Sequence, residues 1–172
     1  MIKYDILEFY RGEKPNTDGL YIKDIIDADD LFLEANHTYI QWLFPNRDAS
    51  YFNKDAPLLT DEVVSRIKSS DTYLYMVKKA FDRMMKFYNI DTMSAYHADF
   101  PPRQFWWVTK NNHNFFRCTR ILNTLREFGM DKELKLFYDK LIKIYWDNLD
   151  VIGPLTFKFW AIAYDGDIIA LD

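Results

Sequence analysis

The sequence predicts an all-α fold, a single compact helical domain of about six to eight helices, and three observations carry that expectation. Only 5 Gly and 6 Pro interrupt 172 residues. Apolar residues recur at three- and four-residue spacing, and recognisable starts and stops separate the segments that show it. One domain over residues 1–172 is expected, since a domain usually takes about 100 to 200 residues. None of the breaks, at 12–19, 45–57, 99–102, 128–131 and 149–154, is long enough to be a linker. With 49% hydrophobic and 18% aromatic residues, the core needs neither a disulfide nor a metal.

The elements follow in order. Asn36 precedes HTYIQWLF and is placed to cap a short helix that Pro45 stops. Thr60 supplies an N-cap hydroxyl, and Asp61 and Glu62 oppose the helix dipole in the first turn, so a helix is expected to reach Ser69. The next begins near Asp71. It sets Leu74, Val77, Phe81, Met84, Met85 and Tyr88 on one side and Lys78, Lys79, Arg83 and Lys86 on the other. From Asn112 to Phe128, a rotation of about 100° per residue gathers Phe115, Cys118, Ile121, Leu122, Leu125 and Phe128 into an apolar arc, with Gly129 as the stop. His113, Arg117, Arg120 and Thr124 run along the edge of that arc. Asp131 is placed to cap a helix whose buried side is Leu134, Phe137, Tyr138, Leu141, Ile144 and Tyr145. Pro154 opens a last helix ending near Tyr164, and residues 165–172 form a turn and a short acidic tail.

Charge and motifs remove several functions. A net charge of −4 and an isoelectric point near 5.4 leave no basic footprint for nucleic acid or an anionic membrane. Between Phe100 and Arg126 there are five cations (Arg103, Lys110, Arg117, Arg120, Arg126), no acid, and two tryptophans, Trp106 and Trp107, expected at the surface. That pattern is a weak signal for single-stranded nucleic acid, which is not an expected partner. No apolar run approaches the roughly 18 residues of a membrane span. Asp5 and Glu8 interrupt the place where an export signal would be apolar, and Cys118 has no second cysteine to pair with. An intracellular, cytoplasmic protein is expected. Phosphate-loop, dinucleotide-loop, zincin, hydrolase-elbow and paired-cysteine motifs are all missing.

Three clusters that could carry chemistry read as structure. Cys118 falls inside the apolar arc, where a thiol is inert packing. Asp24, Asp27, Asp29 and Asp30 lack the further ligands of a calcium loop and read as solvated acids and helix starts. Asn36-His37-Thr38 fits the glycosylation triplet but reads as a cap. No metal site or cofactor is expected.

Two stripes remain. His37, Ile40, Gln41 and Phe44 share one helical face, with Trp42 beside them and Arg47 just past the Pro45 break. His113, Asn114, Arg117 and Arg120 line the other helix. Packed together, the two would gather imidazoles, amides and guanidiniums at the rim of an aromatic core. Arginine against an apolar wall offers two parallel donors to a carboxylate or phosphate. The expected ligand-binding residues are therefore His37, Gln41, Trp42, Arg47, His113, Asn114, Arg117 and Arg120, and no catalytic residue is assigned.

HTYIQWLFPNR (37–47), with HNFFRCTRILNTLREFG (113–129) and the upstream FYRGEKPNTDGLYIKDI (9–25), resembles the conserved domain of the opioid growth factor receptor family over approximately Ile6 to Tyr164. The resemblance implies an all-helical domain unrelated to seven-helix opioid receptors. Animal members are described as binding the pentapeptide Met-enkephalin and restraining growth at the nucleus. The resemblance thus implies nuclear association, although no Lys/Arg import cluster is present and the long C-terminal tail and repeats of those members are missing. It transfers no chemistry onto named residues. Abundant Ile, Lys, Asn, Tyr and Phe, whose codons are AT-rich, point to a viral or microbial genome.

The expected function is a binding module of this type, recognising a peptide, a small anionic ligand or a protein segment in a His/Arg/aromatic cleft. An aromatic group of the ligand would meet Trp42 or Trp107. One alternative is an enzyme acting on a phosphorylated or nucleotide-like substrate with a histidine as general acid or base. Another is a structural protein–protein interaction domain.

Overall fold

A computed structural model of the chain describes residues 6–50, 53–90 and 105–166. His97, Arg103, the break at 99–102 and the tail from Asp167 lie outside the described residues. Every regular element among the described residues is helical, and there are nine helices. The fold is all-α. The count passes the expected six to eight because α1 (Ile6–Tyr10), α2 (Ile22–Asp27) and α3 (Asp30–Ala35) have only five or six residues each. Fewer than two turns show no apolar period, so the bounds of these three are not legible, although the acids at 24–30 read as helix starts. The helices gather into two compact units, Met1–Phe87 and Tyr88–Asp172.

In the first unit, α1, α2 and α3 are followed by α4 (Ile40–Leu43), α5 (Asp61–Lys68) and α6 (Asp71–Phe87). The four clustered aspartates have separate structural tasks. Asp24 accepts from the Tyr21 amide at 2.9 Å, Asp27 pairs with Lys23, and Asp29 caps α3 by accepting from the Phe32 amide at 2.8 Å. Asp30 pairs at 2.7 Å with Arg83, which also donates from Nε and Nη2 to the Ala28 carbonyl that ends α2. Through Arg83, α6 holds both short helices. The interior is built from Phe9, Ile25, Leu33, Leu43, Phe44, Ile67, Val77 and Met84, all fully buried. α5 starts as expected, the Thr60 hydroxyl accepting from the Val63 amide at 3.3 Å.

The second unit holds α7 (Asn114–Glu127), α8 (Asp131–Asp147) and α9 (Pro154–Asp165). All six residues of the predicted α7 arc are buried. Gly129, at φ +67°, turns the chain, and the Met130 amide reaches back to the Leu125 carbonyl at 2.9 Å. The chain re-enters a helix at once, so Met130 is the cap of α8 and Asp131 its first helical residue, a correction to the expected capping role. Rings tie α8 to α9: Tyr138 stacks on Tyr164 at 4.0 Å and Tyr145 on Phe157 at 4.5 Å. Arg126 of α7 donates to the Ile162 carbonyl at 3.1 Å and to that of Ala163, closing the C-terminal end of α9.

Candidate functional site

The eight predicted residues divide evenly between the two units. In the first unit, the Asn36 side-chain oxygen accepts from the amides of Thr38 at 2.9 Å and Tyr39 at 3.3 Å. This turns the chain through 36–39, with Tyr39 as the N-cap and Ile40 the first residue of α4. His37 therefore precedes α4 and is exposed, rather than standing one helical turn before Gln41 on a shared face. Gln41 and Trp42 are buried, at 5% and 1% exposure, and Trp42 packs on Phe9 with ring centroids 5.2 Å apart. Trp42 is thus a core anchor and presents no surface for a ligand ring. Arg47 reaches solvent and pairs with Asp61 at 2.7 Å, its carboxylate partner in the first turn of α5.

In the second unit, His113 precedes α7 and Asn114, Arg117 and Arg120 lie along its first half. Asn112 supplies the oxygen that begins the helix, accepting from the Asn114 amide at 2.9 Å and from Asn114 Nδ2 at 3.0 Å. So fixed, Asn114 is fully buried, and its own Oδ1 accepts from Arg117 Nη1 at 3.2 Å and from the Tyr88 hydroxyl at 3.4 Å. Arg117 is only 5% exposed. His113 occupies the N-cap position and is partly buried. Arg120 follows Arg117 on the same edge of the helix, also partly buried, and burial pulls its guanidinium down to about 10. A charge there is less well hydrated than in water, and a hydrogen-bonded anion would favour it.

Aromatic rings support this helix start. Trp107 packs between Tyr88 and Phe115, with centroids 5.0 and 6.2 Å away, and donates from Nε1 to the Tyr88 carbonyl at 3.0 Å. It is fully buried, which corrects its expected place at the surface; Trp106, its neighbour, is exposed. Trp107 therefore braces α7 and cannot stack on a ligand. Two members of the arrangement were missed. Asn112 carried a usable signal, a capping residue type just before an apolar-periodic segment. Tyr88 carried none, because nothing local ties it to a residue 26 positions away.

Cys118 is buried, and desolvation pushes its thiol well above the usual range, leaving it protonated and unreactive. Among the described residues, no group of three or more His, Cys, Asp or Glu is placed to hold a metal ion. No helix among them is long and apolar enough to cross a membrane.

Comparison with known proteins adds the family. A family model described as the opioid growth factor receptor conserved region matches residues 3–149, which takes in α1 to α8 and leaves α9 outside. The chain is similar to the opioid growth factor receptor of Mus musculus (39% identity over 138 residues, 73% of this chain and 21% of that protein) and of Homo sapiens (38% over 137 residues, 73% and 20%). It is also similar to opioid growth factor receptor-like protein 1 of Mus musculus (33% over 133 residues, 73% and 28%). The chain thus spans between a fifth and about three tenths of the length of these relatives. No solved structure matches it. On the strength of the family match and these identities, the chain belongs to the opioid growth factor receptor family.

Proposed function

We propose that the chain is a binding module that recognises an anionic group, carried by a peptide or a small molecule, along the first half of α7, where Asn114 positions Arg117 on the helix edge that also carries His113 and Arg120. The observation that carries this proposal is the pair of arginines: two guanidiniums about one turn apart on a single helix edge, one buried and one partly buried. The stretch from Phe100 to Arg126 contains five cations and no acid although the whole chain is acidic. Asn114 orients Arg117, and the aromatic packing around Trp107 fixes Asn114 on its helix. Donors held in place lose little freedom when an anion arrives, which raises the value of each contact. A peptide ligand is proposed on the likeness to relatives named as receptors for a growth factor, with its carboxylate as the recognised group.

Calorimetric titration with inorganic phosphate and with acetate tests the proposal. Wild type is expected to bind at a single site, with an affinity that falls as salt rises. Arg120→Met, which keeps the apolar stem, is expected to lose at least about tenfold in affinity, equivalent to about 1.4 kcal/mol. Absence of saturable binding by wild type, or unchanged affinity in the variant, would overturn it.

A further inference from the structure

We infer that the outer face of α9 is a self-association surface, on which the same helix of a second copy of this chain seats antiparallel across a twofold axis beside Ile162. α9 is apolar nearly all round: from Pro154 to Tyr164 its only charged residue is Lys158. A helix of that kind is ordinarily buried on every side. Here one side is. Trp160 is fully enclosed and donates from Nε1 to the Phe115 carbonyl at 3.1 Å, Ala161 and Ala163 are buried with it, and Phe157 stacks on Tyr145. The opposite side is open to solvent, with Leu155 62% exposed, Phe159 42% exposed and Ile162 half-buried. At about 100° per residue, these three fall within roughly 60° of one another, and the exposed Lys158 and Asp165 border the stripe along one edge. The family match ends at residue 149, so this face lies outside the region that match describes.

The two charges identify the occupant. Lys158 and Asp165 stand seven residues apart on the same edge, about 10 Å along the helix. A twofold axis level with Ile162 returns that edge on the same side with its ends exchanged, so each Lys158 comes opposite Asp165 of the second copy, and the contact is made twice. Ile162 then meets its own copy at the axis, and the two Phe159 rings lie side by side along the other edge. A foreign helix would need a cation and an acid of its own at this spacing. A second copy brings them by symmetry. Two 12-residue helices, each about 18 Å long and packed about 8 to 10 Å apart, cover an area at or below the low end of specific interfaces, roughly 1,200 Å² in total. The dimer is therefore a weak one, formed at micromolar concentrations.

Sedimentation equilibrium of the whole chain over a range of concentrations tests the inference. Wild type is expected to move from 20.7 kDa toward twice that mass, with a Kd on the order of 10 to 100 μM. Phe159→Asp, a charge placed in the middle of the stripe, is expected to stay monomeric with unchanged helix content by circular dichroism. Lys158→Asp and Asp165→Lys each set like charges against one another twice, and each should weaken association by about tenfold. Combining the two exchanges the charges and should recover most of the loss. That recovery is specific to a second copy, because a foreign partner or the chain's own residues 167–172 would meet both charges inverted. A dimer that survives in Phe159→Asp, or a combined variant no better than the single ones, overturns the inference. So does a wild type that is still monomeric at about 1 mM, which would leave the face to the chain's own residues 167–172 or to a foreign partner.

Discussion

Arg117 and Arg120 share one edge of α7, yet they should respond differently to replacement. Arg117 is buried and its Nη1 donates to Asn114 Oδ1 at 3.2 Å, so Arg117→Ala leaves that buried oxygen with only the longer contact from the Tyr88 hydroxyl at 3.4 Å and opens space beside it. A loss of about 2 to 4 kcal/mol is expected in denaturant unfolding, and a smaller one for Arg120→Met, which keeps its packed stem on a partly exposed edge. Equal losses in the two variants would mark a purely structural network. Which residues form this stripe was legible, because helical spacing alone puts 113, 117, 120 and 124 on one edge. How deeply each is buried was not, because depth depends on what packs against the edge. Trp107 shows the same limit: its ring lies among Tyr88 and Phe115, and no local pattern distinguishes it from the exposed Trp106. His37 failed for a different reason, since Asn36 takes the following amides into a turn and delays α4 to Ile40.

At the scale of elements, the longer helices were readable because each carries enough turns to display an apolar face and an end signal. α5 begins at Asp61 behind Thr60, α6 begins at Asp71, and α9 begins at Pro154, as their start residues require. The end of α9 depends on a contact that the sequence does not announce. Gly166 sits at φ +84°, and a Cβ there would stand 3.3 Å from Nε of Arg126, the residue whose guanidinium closes the helix. Gly166→Ala therefore has to accept a left-handed backbone and displace a capping side chain. Thermal unfolding should show a loss of at least about 1 to 2 kcal/mol. Gly153→Ala is the control, because nothing lies within 4 Å of an added Cβ and its φ of −70° is ordinary. A Gly166→Ala variant as stable as the Gly153→Ala control would show that the Arg126 closure contributes nothing.

At the scale of the whole molecule, each unit buries an acid that stays neutral. Tyr10 in the first unit donates to the Leu43 carbonyl at 3.0 Å, and Cys118 lies in the second; burial raises both above their usual values. The unfolded chain releases these protons more readily, so it binds fewer protons than the folded chain once pH passes about 9. Their contribution to stability is complete below that pH and is lost as pH rises. Melting temperature should fall between pH 8 and 10.5, and the fall should be shallower in Tyr10→Phe; an unchanged slope in that variant would remove Tyr10 as a cause. The central claim is the proposal that this edge of α7 takes an anion, and the most direct measurement follows the arginine Nε–H signals by NMR as inorganic phosphate is added. Saturating shifts are expected at Arg117 and Arg120, with Arg11, Arg83 and Arg126 holding still in their contacts with Tyr73, Ala28 and Ile162. Small, non-saturating shifts spread over all the arginines, or none at all, would contradict the account.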